Sequence, residues 1–183
     1  MNSILKSTRL TFVLFGVYLI AIYWIIVLKF NIGAYHDQVD EKFNYIPFRE
    51  FIRYGIFNTE IILNVFIFLP FGLYAGILLE QLGFFKKVLL FFSLSFLFEA
   101  SQYILNVGAF DITDLITNTF GGILGLLIYQ RLEMALKSKF KAQKFINIFA
   151  LIGTIIIFSL LLYLKINDLW IFRINTVNTP REL

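Results

Sequence analysis

The sequence predicts an all-α, multi-pass membrane protein: five transmembrane helices, with a short interfacial helix in the first external loop, in a single domain over residues 1–183. Three observations carry this prediction. The chain is 59% hydrophobic and 15% charged, with a mean hydropathy of +0.80, against about 45–50% and about 25% in soluble domains. Five segments approach the roughly 20 apolar residues that a helix needs to cross a hydrocarbon core about 30 Å thick. Lys and Arg concentrate in alternate connections between those segments, as the orientation of a membrane protein requires.

The same composition excludes other classes. Twenty-three Phe and no Cys rule out disulfide scaffolds, thiol nucleophiles and Cys-ligated metal sites, and so apolar a chain does not stay disordered. The net charge of +4 does not signal nucleic acid, because the basic residues fall between apolar stretches rather than along one polar face. The partner that this distribution implies is the lipid bilayer.

Each element follows from the chain in order. The first helix, near 10–28, carries no charge and follows Lys6 and Arg9. It is longer than the h-region of a signal peptide and no small-residue cleavage site follows, so it is expected to stay in place. The first external loop is polar from Lys29 to Asp40 and includes His36, the chain's single histidine, read as a solvated loop residue. From Pro47 onward Phe48, Phe51, Ile52 and Tyr54 alternate with Arg49, Glu50 and Arg53. That pattern predicts a short helix with Pro47 at its first position, lying in the interface either as an aromatic anchor or as a flap with Arg49 and Arg53 on one face. Further helices are expected near 61–79, with Asn64 and Pro70; near 88–105, with Glu99; near 112–129; and near 146–164, which offers nothing beyond topology. Trp170 and Arg173 in the tail read as an interfacial anchor.

Orientation follows from the loops. With the N-terminus inside, the internal segments 1–9, 80–87 and 130–145 carry nine Lys and Arg in 33 residues, and the external segments carry seven in 60. The expected topology in a plasma membrane is therefore N-terminus cytoplasmic, C-terminus external.

Polar residues inside such helices are the informative ones, since an ionisable group in lipid costs about 2.5–3.5 kcal/mol on insertion scales. Glu99 and Gln102 are three apart, and Asn106 is seven from Glu99; Ser95 extends the same stripe inward. Asp111, Asp114 and Asn118 form a matching stripe on the next helix, followed by Gly121, Gly122 and Gly125, whose missing side chains allow backbones to approach. Asn64 lies at a similar depth, and Pro70 leaves the Phe66 carbonyl without its usual donor while Gly72 and Gly76 offer a packing face. The candidate ligand-binding set is Asn64, Glu99, Gln102, Asp111, Asp114, Asn118 and Arg49. Two roles stand open for Asp111 and Asp114, as N-terminal helix caps or as site carboxylates, and the amides also serve as glue between helices. Oxygen-bearing side chains without Cys suit a hard cation such as Mg²⁺ or Ca²⁺, or hydrogen bonding to sugar and amide groups, rather than zinc. A Ser-His-Asp triad finds no support, and Glu99 is a candidate acid or base with no visible nucleophile. Binding protein and membrane enzyme both remain open, as do cofactor and metal.

These residues form recognisable motifs. The run from Asn64 to Gly72 (N-V-F-I-F-L-P-F-G), the E-A-S-Q of Glu99 to Gln102, and the stretch from Phe110 to Gly125 resemble the three motifs of the VanZ-like family; Asn44 to Phe48 resembles a looser fourth. Together they cover residues 44–125. Thr113 stands where many relatives have a further acid, and Gly108 where many have Arg. The resemblance implies an effect on susceptibility to teicoplanin, a glycopeptide with a fatty acyl chain, without comparable protection against vancomycin. The expected partner is then a lipid-anchored glycopeptide or a lipid-linked wall precursor, held at the cell surface by an outward-facing polar pocket. The alternative is an enzyme acting on a lipid-linked envelope substrate, with a divalent cation at Asp111 and Asp114.

Overall fold

A computed structural model of the chain describes residues 2–27, 43–55 and 59–167. Within them lie α1 (Asn2–Val27), β1 (Phe43–Asn44), α2 (Arg49–Tyr54), α3 (Thr59–Leu78), α4 (Phe84–Ile104), β2 (Phe110–Asp111), α5 (Ile112–Leu136) and α6 (Lys139–Ile166). The readings of His36, Trp170 and Arg173 fall outside the described residues, as does the side chain of Arg53.

The fold is helical, with five long helices and the short α2. Four are long and apolar enough to cross a membrane, over Ser7–Ile26, Thr59–Leu78, Ile112–Leu136 and Lys139–Tyr163. The expected fifth, α4, stands apart from that set; its 21 residues include Lys86, Lys87, Glu99 and Gln102. The long helices also overrun the hydropathic segments, most clearly α5, which continues to Leu136, and α6, which starts at Lys139. Hydropathy marks the stretch that lipid can cover, whereas backbone hydrogen bonding continues through the polar ends.

The helical fold class holds, and beside the helices β1 and β2 pair in parallel, Phe43 with Phe110 and Asn44 with Asp111, a detail the sequence did not predict. Two residues per strand are too few for an alternation pattern to declare itself. Pro47 is not the first residue of α2; it lies in the preceding turn, and Phe48 caps the helix in a left-handed conformation at φ 55° and ψ 34°.

The closest packing is between α3 and α5. A methyl group at Gly125 would lie inside the van der Waals envelope of the Leu69 carbonyl, and one at Gly72 inside that of the Gly122 carbonyl. Only hydrogen at these positions lets the two backbones touch. Pro70 sits within α3 and cannot donate to Phe66,. Near it the Tyr18 hydroxyl of α1 donates to the Ile67 carbonyl at 2.8 Å, tying α1 to α3. Around this point Ile22, Ile26, Phe68, Phe71, Phe91, Phe98 and Leu126 form the core, with Phe71 edge-on to Phe91 at 5.2 Å.

Nor is α6 merely topological. Its Asn147 Nδ2 donates to Thr11 Oγ1 of α1 at 2.9 Å and its Gln143 Nε2 to the same oxygen at 2.8 Å. Asn147 also reaches the Ser7 carbonyl at 3.2 Å. Elsewhere α6 presents exposed apolar side chains from Ile148 to Tyr163, the kind of surface that a bilayer covers.

Candidate functional site

The site is built on the N-terminus of α5. Asp111 is the N-cap, and its Oδ1 accepts from the Thr113 N–H at 2.6 Å. A carboxylate here satisfies an orphan donor and complements the helix dipole, a contribution of about 1 kcal/mol. Its other oxygen, Oδ2, accepts from Asn44 Nδ2 at 2.9 Å, while its own N–H donates to Glu99 Oε2 at 3.0 Å. Asp111 is therefore fixed by its own helix, by β1 and by α4. One turn further along, Asp114 Oδ1 accepts from Asn64 Nδ2 at 2.7 Å, which locks α3 to α5 above their glycine contact.

Thr113 ties down the first loop. Its Oγ1 accepts from the Phe48 N–H at 3.0 Å. A bulky residue with positive φ is strained and persists only where its surroundings hold it. Here that bond and the β1–β2 pairing hold it, placing Arg49 and Phe51 of α2 beside the acids. The result is an open cleft of about 60 Å³ lined by Asn44, Phe48, Arg49, Phe51, Glu60, Ile61, Asp111, Thr113 and Asp114. That volume seats a group a few water molecules in size, and because the cleft is open the group can be one part of a larger head. Three carboxylates share the lining with one guanidinium.

The structure divides the sequence-predicted set in three. Arg49, Asp111 and Asp114 line the cleft. Asn64 and Glu99 each hold a lining residue through a direct hydrogen bond, Glu99 from a fully buried position at 0% exposure. Gln102 and Asn118 lie deeper, each 1% exposed: Gln102 Nε2 donates to the Ile26 carbonyl of α1 at 2.5 Å, and Asn118 Nδ2 to Ser95 Oγ at 3.0 Å. Asn106, expected on the Glu99 face, lies past the end of α4 with φ 54° and leaves that face. Sequence reasoning did not assign Asn44, Thr113 or Glu60 to the site. The E-x-x-x-N spacing of Glu60 and Asn64 places both on one helical face; Asn44 and Thr113 lie within the family-like motifs, and only the tertiary structure gives their partners.

The amide and carboxylate groups are largely spent on one another. Both Asp111 and Asp114 already accept side-chain N–H groups, and among the described residues no cluster of three or more His, Cys, Asp or Glu is arranged to hold a metal. The oxygens Asn44 Oδ1, Gln102 Oε1 and Asn118 Oδ1 are buried and accept no hydrogen bond from the described residues.

Residues 15–136 match the VanZ/LLP1 family, and this range contains every residue of the cleft. Protein VanZ from Enterococcus faecium is 36% identical over 160 residues, covering 84% of this chain and 94% of that protein. No solved structure matches. With the family match covering residues 15–136 and similarity running through most of the chain, the protein belongs to the VanZ/LLP1 family.

Proposed function

We propose that the chain is a five-span protein of the bacterial plasma membrane, N-terminus cytoplasmic and C-terminus external, whose cleft faces outward and binds the polar head of an amphiphile at the cell surface. Through that binding it lowers susceptibility to lipophilic glycopeptides such as teicoplanin; the amphiphile is the lipid-anchored glycopeptide or a lipid-linked wall precursor. The observation that carries this reading is the open cleft with Arg49, Glu60, Asp111 and Asp114 in its wall, at one end of helices apolar enough to span a membrane. Membrane segments keep ionisable groups where a partner or water meets them.

Two features support the finer points. With 21 residues, α4 is about 30 Å long; it buries Ser95, Glu99 and Gln102 and exposes Phe92, Phe96 and Leu97. A helix with its polar face turned inward crosses lipid as a fifth span. Beside the cleft Tyr45, Ile46, Phe51 and Ile52 are exposed, an apolar rim suited to the interface between head groups and acyl chains.

The test is growth inhibition by teicoplanin and by vancomycin in a susceptible host expressing the wild type or Asp114→Asn at equal membrane levels. Expected is protection by the wild type against teicoplanin alone, lost in Asp114→Asn. Absence of protection by the wild type, or full protection by the variant, overturns the reading.

A further inference from the structure

At the end of α4 opposite the cleft, we infer that the helix N-terminus binds phosphate, and that the phosphate is the head of a lipid. The helix end is the first ground. It starts after Gly83, whose backbone is extended and which offers no side-chain cap, so the N–H groups of Phe84, Phe85 and Lys86 have no acceptor within their own helix. A methyl group at Gly83 would meet nothing within 4 Å, which leaves the approach to those donors open. The first turn carries no acid; Lys86 and Lys87 stand where a carboxylate would complement the dipole. Free N–H donors, the dipole and two ammonium groups all favour an anion.

Lys87 is the second ground, and it is independent of the first. Only 7% of it is exposed, yet among the described residues its ammonium makes no hydrogen bond and no ion pair. A helical side chain leans toward the N-terminus of its helix, so Lys87 leans back over the first turn. The charges around it are Glu80, Glu133 and Lys139, and Glu80 is already held by Lys139 Nζ at 2.6 Å. A buried cation with unused donors is expensive unless an anion meets it. The two carboxylates leave room for one: residues 80–87 and 130–145 carry seven Lys and Arg against these two Glu. That the anion belongs to a lipid follows from what flanks the turn. Phe84, Phe85 and Leu89 are exposed at the end where the apolar α3 stops and the apolar α6 starts. Acyl chains cover such side chains, whereas a free phosphate leaves them in water.

The experiment titrates the full chain in dodecyl maltoside micelles with dioleoyl phosphatidic acid, and with dioleoylglycerol, which has the same chains and no phosphate. Bound lipid is counted by native mass spectrometry, and inorganic phosphate is added as a competitor. Phosphatidic acid should bind saturably and about tenfold more tightly than dioleoylglycerol, with inorganic phosphate competing only in large excess. Lys87→Met, which keeps the buried stem and removes the ammonium, should weaken phosphatidic acid binding about tenfold, the loss of one charge-assisted contact. Lys144→Met, which lowers the charge of the same end from an exposed position on α6, should leave binding nearly unchanged, because exposed charges are screened. Gly83→Asp should abolish binding with the melting temperature unchanged or higher, since its carboxylate caps the helix and fills the site; misfolding would lower that temperature. Dioleoylglycerol binding as tightly as phosphatidic acid would remove the phosphate, and inorganic phosphate competing at equal concentration would remove the lipid. An unchanged affinity in Lys87→Met, or an equal loss in Lys144→Met, would reduce the site to diffuse charge, and each of these results overturns the inference.

Discussion

At one end of the bundle Asn64, Asp111 and Asp114 frame an open cleft; at the other, Thr11, Gln143 and Asn147 close on one another. Both are polar clusters in a membrane-type fold, and both join helices distant in sequence. The closed cluster is made of neutral groups, Thr11 at 0% and Asn147 at 2% exposure, and two amides converge on one hydroxyl. The cleft cluster is ionic, half open and left with an unfilled acceptor in its wall. Polarity inside a helix bundle therefore does not by itself mark a site. Net charge, uncommitted hydrogen-bonding capacity and an opening distinguish a place where a ligand arrives from a place where helices are glued.

Substitutions can break or sharpen that contrast. The largest effect is expected from Gly125→Leu, which drives a side chain into the Leu69 carbonyl; it should abolish folded protein in the membrane and remove both clusters together, read as loss of a monodisperse peak after extraction. Next comes Glu99, which supports Asp111 through one carboxylate oxygen. Glu99→Leu should remove most teicoplanin protection at matched membrane levels, whereas Glu99→Gln, which keeps an acceptor for the Asp111 N–H, should retain at least half of it. Equal loss in both would mean that the charge of Glu99, and not its acceptor, is what the cleft requires.

Asn147→Leu tests the closed cluster. Removing the amide strands buried partners and should cost about 1–2 kcal/mol, seen as a lower melting temperature in detergent, with protection per folded molecule unchanged. A selective loss of protection would erase the distinction between the two ends. The smallest effect is expected from Thr113→Val, which keeps the shape and deletes the acceptor of the Phe48 N–H. It should cost about 1 kcal/mol locally and appear as faster hydrogen exchange at residues 48–54, with global stability nearly unchanged.

The helices were legible in the sequence because a lipid-length apolar run is a local property, and the candidate carboxylates were legible because a charge in such a run is rare. Glu99 shows the limit of that logic. Its burial and its helical stripe were readable, but its placement behind Asp111 depends on how α4 meets the turn before α5. Asn147 and Gln143 escaped notice for the complementary reason: neutral amides near the start of an apolar helix look ordinary until α1 is laid against them.

The sequence by itself determined a chain of membrane-type helices, the glycine stripe that lets two of them touch, and a family motif set rich in Asn, Asp and Glu. Composition, periodicity and spacing are one-dimensional quantities, and a single helix face suffices to express them. Only the tertiary structure decided which polar groups meet, that a two-residue parallel pairing straps the first loop across α5, and that Arg49, Asp111 and Asp114 line an opening while Gln102 and Asn118 do not. Those outcomes depend on close approach between side chains up to 136 residues apart, and hydrogen bonds have a reach of about 3 Å, far shorter than any spacing rule along a chain resolves.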